Sequence, residues 1–96
     1  MAETRPWFAH YDADVPATLA PYPERTLLDY VAESARTHPG RPVMLFKGHP
    51  VTYAELERQS DALAAALVAR SVVPGDRVAL CLPNCPQFII AEMGAW

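Results

Sequence analysis

Lysine is almost missing from this sequence: Lys47 is the single one, and the seven arginines are spread from Arg5 to Arg77 without a cluster. With a formal net charge of −3, the chain carries no basic footprint of the kind that nucleic acid selects, and no such partner is expected. Glycine is scarce as well, with four in 96 residues at positions 40, 48, 75 and 94. A phosphate cradle needs glycines a few positions apart, so that backbone N–H groups can close on the oxygens. Neither a P-loop nor a G-x-G-x-x-G turn is present. Two cysteines, Cys81 and Cys85, stand four apart. This is neither a C-x-x-C redox spacing nor a zinc pattern, and one pair builds no disulfide framework. Their apolar setting points to buried, reduced thiols in a cytoplasmic protein. The longest apolar run, 62–69, is too short to span a bilayer. The first residues lack the basic stretch and apolar stretch of a signal peptide.

Patterns that carry chemistry are absent too. No G-x-S-x-G elbow, H-E-x-x-H helix or EF-hand loop occurs. His38 reads as a cation at a helix C-terminus and His49 as a solvated turn residue. The carboxylates Asp12, Asp14, Glu55 and Glu57 read as solvated or capping groups. No residue is nominated as catalytic, cofactor-binding or metal-ligating.

What remains is a globular composition, 51% apolar and 20% charged. Residues 1–25 hold Pro6, Pro16, Pro21 and Pro23, a density that blocks regular helix and central strand. They read as an extended arm whose aromatics, Trp7, Phe8, Tyr11 and Tyr22, dock on a folded body. Thr26 then caps a helix, with Asp29 three positions on and Leu27, Leu28, Val31 and Ala35 at helical spacing. Pro39-Gly40 ends it. Val43-Met44-Leu45-Phe46 and Val51-Thr52-Tyr53 form a hairpin across Lys47-Gly48-His49-Pro50. Thr52-Tyr53-Ala54-Glu55 is a capping box opening an Ala/Leu-rich helix that runs to about Arg70, with Glu57, Arg58 and Asp61 on its wet side. Pro74-Gly75-Asp76 is a turn. Val78-Ala79-Leu80-Cys81-Leu82, apolar without alternation, reads as a strand buried on both faces. Asn84 or Cys85 caps a last helix with Pro86 in its first turn and only Gln87 and Glu92 polar. A βα unit of this kind calls for a returning parallel strand, so the expectation is the start of a larger α/β protein.

The segment Val51-Thr52-Tyr53-Ala54-Glu55-Leu56 resembles the first core motif of adenylate-forming enzymes, usually Leu-Thr-Tyr-x-Glu-Leu. Val73-Pro74-Gly75-Asp76-Arg77-Val78-Ala79-Leu80 and Leu82-Pro83-Asn84-Cys85-Pro86-Gln87-Phe88 are similar to the same superfamily at the same separation. The likeness covers 26–96. Arg5-Pro6-Trp7, Tyr11, Val15-Pro16 and Phe46-Lys47-Gly48 resemble bacterial long-chain fatty acid–CoA ligases. One departure is Ser71, where the family commonly has a glycine that suits a left-handed helix end.

The resemblance implies the incomplete start of the large N-terminal α/β domain of such a ligase, in the order helix, hairpin, helix, strand, helix. It also implies a parent that uses ATP, Mg²⁺ and CoA to turn a fatty acid into an acyl-adenylate and then a thioester. The family's Ser/Thr/Gly-rich phosphate loop, ribose-binding Asp and adenylation Lys lie further along, and none maps onto a residue here. Lys47, in the hairpin, is not that lysine. The chain alone is therefore expected to be inactive and to bind none of these groups. Aryl or short-chain acids, a carrier-protein thiol acceptor and peripheral membrane contact stay open. So does a stand-alone interaction module derived from a ligase, binding itself or a partner through an open sheet edge.

Overall fold

The computed structural model describes residues 4–96. Pro6–His10 winds into a short 3-10 helix. The helix α1 spans Leu27–Thr37, the strands β1 and β2 span Pro42–Phe46 and His49–Thr52, and α2 spans Tyr53–Ala69. The last helix, α3, spans Pro86–Ala95. The arm is thus not extended throughout. Its aromatics pack on one another, with Phe8 edge-on to Trp7 and to Tyr11. Trp7, Tyr11 and Tyr22 stay 48%, 41% and 69% exposed, while Phe8 is half-buried.

Both helix starts follow the expected chemistry. Thr26 accepts from the Asp29 amide at 3.2 Å while the Asp29 carboxylate accepts from the Thr26 amide at 2.7 Å. This reciprocal box fixes where α1 begins. Just before it, the Arg25 guanidinium lies 4.1 Å over the Tyr30 ring and pairs with Glu33. The hairpin turn is tighter than the sequence suggests. Only Lys47 and Gly48 lie outside the strands, at φ 49° and 80°. Two successive left-handed residues give the twist that a two-residue hairpin needs. A bulge at Val43 shifts the register, so that Met44 faces Val51 and Phe46 faces His49. Met44 and Phe46 are half-buried while Leu45 points out at 74% exposure.

At the end of α2 the chain turns left-handed at Ser71, φ 65°. The Val72 amide donates to the Leu67 carbonyl at 3.1 Å and the Ser71 amide to the Val68 carbonyl at 3.0 Å. That pair of bonds is the Schellman motif. The geometry that favours glycine is therefore kept with serine. Val73-Pro74-Gly75-Asp76 follows as a turn with Gly75 at φ 94°. It is closed by the Asp76 amide on the Val73 carbonyl, 3.0 Å, and by the Val73 amide on the Asp76 carboxylate, 2.9 Å.

The strand expected over 78–82 does not form. Among the described residues the only sheet is the β1–β2 hairpin, so the segment has no neighbour to complete a ladder. Val78 and Leu82 stay 40% and 44% exposed, and Cys81 is exposed rather than buried, while Cys85 is half-buried; both are free thiols. The order is helix, hairpin, helix, helix after the 3-10 turn.

α2 is the hub, packed against α1 on one side and α3 on another. Leu56 is the most buried side chain at 1% exposure, joined by Ala35 and Ser60. The helices α2 and α3 touch at Gly94, where an added Cβ would stand 2.9 Å from the Ser60 carbonyl oxygen and 3.1 Å from Leu63 Cβ. Small residues bring two helix backbones this close.

Candidate functional site

The residues with the most specific pattern, 51–56, sit where β2 runs directly into α2. Their geometry is a complete accounting of the helix start. The first four amides of any helix lack partners inside it. Here the Thr52 amide donates to the Glu55 carboxylate at 2.9 Å, and the Glu55 amide donates to the Thr52 hydroxyl at 3.2 Å. The two amides between them reach back across the chain, Tyr53 to the Arg41 carbonyl and Ala54 to the Pro39 carbonyl, each at 3.0 Å. The motif therefore bolts α2 to the loop that follows α1 and to the hairpin at once.

The same accounting decides what the motif cannot do. A helix N-terminus binds a phosphate through free amides, and here all four are taken. Glu55 is held as an acceptor by the Thr52 amide first and the Thr52 hydroxyl second, with Arg58 nearby. These contacts push its carboxyl below the ordinary glutamate value. A carboxylate so engaged is a structural anion, poorly suited to take a proton from a substrate.

The other titratable groups are scattered. His38 caps the end of α1, its Nδ1 3.0 Å from the Thr37 hydroxyl. His49 opens β2 and is exposed; it lies in the strand, not in the turn. Lys47, at the hairpin tip, lies 5.4 Å over the Phe46 ring. Asp12, Asp14 and Glu57 are exposed. Among the described residues, no three His, Cys, Asp or Glu side chains gather where a metal ion could sit. The concave places are open grooves. One, of about 280 Å³, lies between the hairpin and the starts of α2 and α3, with Phe46, Val51, Pro86 and Ile90 on its walls. A second, beside Trp96, holds Asp76 and Glu92. Asp76 is already committed to its own turn. In the sequence Gly94 counts only as one of four glycines too far apart for a phosphate cradle, and its part in helix packing is not visible there.

A family model described as AMP-binding enzyme matches residues 31–96. The chain belongs to the AMP-binding enzyme family. The capping box at 52–55 and the turn at 73–76 lie within the matched residues. Relatives of known name agree. The long-chain-fatty-acid–CoA ligase of Bacillus subtilis is 37% identical over 94 residues, 98% of this chain and 17% of that protein. The ligase of the same name from Escherichia coli O157:H7 is 35% identical over 89 residues, 92% of this chain and 16% of that protein. Triostin synthetase I of Streptomyces triostinicus is 42% identical over 66 residues, 69% of this chain and 12% of that protein. The chain thus spans about a sixth of the length of the ligases it matches. No solved structure matches it. No helix among the described residues is long and apolar enough to cross a membrane.

Proposed function

We propose that these residues are the N-terminal segment of an AMP-forming long-chain fatty acid–CoA ligase, and that the chemistry belongs to parts of the parent outside them. In that parent a fatty acid carboxylate attacks the α-phosphate of ATP, releasing pyrophosphate and leaving an acyl-adenylate. The thiol of CoA then attacks the acyl carbon, giving the thioester and AMP. Residues 1–25 are an arm and residues 26–96 the opening of the AMP-binding domain, working in the cytoplasm.

The observation that carries the subclass is the reach of the likeness. The ligase relatives align along 92–98% of the chain, arm included, whereas triostin synthetase I aligns along 69%. ATP, Mg²⁺ and CoA serve the parent, but the described residues do not fit them. No acidic or histidine cluster is at hand, and the amides at the start of α2 are spent on Glu55, Thr52, Arg41 and Pro39. No step of the reaction is assigned to a residue of this chain.

The test is fatty-acid-dependent exchange of labelled pyrophosphate into ATP. The product of the complete reading frame should exchange with long-chain acids, and the 96 residues alone should not. Exchange by the isolated chain would move the active site into it and overturn the reading. Exchange by the full product only with aryl or amino acids would keep the family and discard the long-chain assignment.

A further inference from the structure

We draw no further inference here: the strongest candidate, the apolar surface left uncovered between the segment 76–80 and the end of α3 around Val78, Leu80 and Trp96, carries nothing because nothing in the structure shows what covers it.

Discussion

Ser71 and Gly94 hold opposite positions in the same fold. Ser71 occupies a left-handed conformation that glycine adopts freely and an L-residue adopts at a cost of about 1 kcal/mol. Replacing it, Ser71→Gly, should therefore hold the end of α2 more firmly. The Val72 amide, which closes the Schellman motif, should exchange with solvent about fivefold more slowly, as about 1 kcal/mol requires. Unchanged or faster exchange would mean that the serine is not strained. Gly94 is the reverse case. Alanine would favour an isolated helix by about 1 kcal/mol, but here its Cβ would meet a backbone oxygen of α2 at 2.9 Å, which a rotamer change cannot relieve. Overpacking of this kind costs about 1–3 kcal/mol. Gly94→Ala should thus loosen α3, seen as faster amide exchange along it, and slower exchange would contradict the close helix approach. The Ser71 departure was legible in the sequence because family glycines mark left-handed ends. The Gly94 contact was not, because it depends on which residues of α2 lie opposite, Ser60 and Leu63, and a single sequence does not give that register.

The elements that declared themselves are those whose signals are local. Two reciprocal capping boxes, a Pro-Gly turn and an Ala/Leu helix each need only a few neighbouring residues. Thr52→Ala should remove the cap of α2 and cost about 1 kcal/mol, with loss of helicity by circular dichroism; no loss would deny the motif its structural role. Both boxes also bring a pH dependence. Asp29 and Glu55 are held below their ordinary values by hydrogen bonds from Thr26 and Thr52. A carboxyl whose folded value is depressed adds stability above its unfolded value and loses it as pH falls through the folded one. Helicity should therefore be level from neutral pH down to roughly pH 4, the ordinary carboxylate range, and fall below it. The double change Asp29→Asn and Glu55→Gln should flatten that acid fall; an unaltered fall would place its origin elsewhere. The strand over 78–82 failed for the complementary reason. Its apolar run is a local signal, but a strand is a pairing, and the partners are not among these residues. The hairpin turn was misjudged by two residues because His49 and Pro50, turn formers by type, are held in β2 by pairing with Phe46 and Leu45.

As a whole, the molecule is open. Its radius of gyration is 18.4 Å, against about 13 Å for a compact domain of 100 residues. Among the described residues, Ala35 and Leu56 are the only apolar side chains that are buried, too little core for an ordinary domain's stability. The isolated chain should unfold over a broad temperature range and associate with rising concentration, as exposed Val78, Leu82 and Trp96 demand. Calorimetry and light scattering read both. A sharp two-state transition in a monodisperse species would favour the independent interaction module instead. At the candidate site, spacing and residue type made the capping role of 51–56 legible; on the proposed reading the reacting groups belong to the parent outside these residues. The most direct measurement is to read the codons that follow Trp96 in the gene. The account predicts that the frame continues for several hundred codons, through a Ser/Thr/Gly-rich loop to a late lysine. A stop codon directly after Trp96, with the 96-residue product stable in cells, would contradict it.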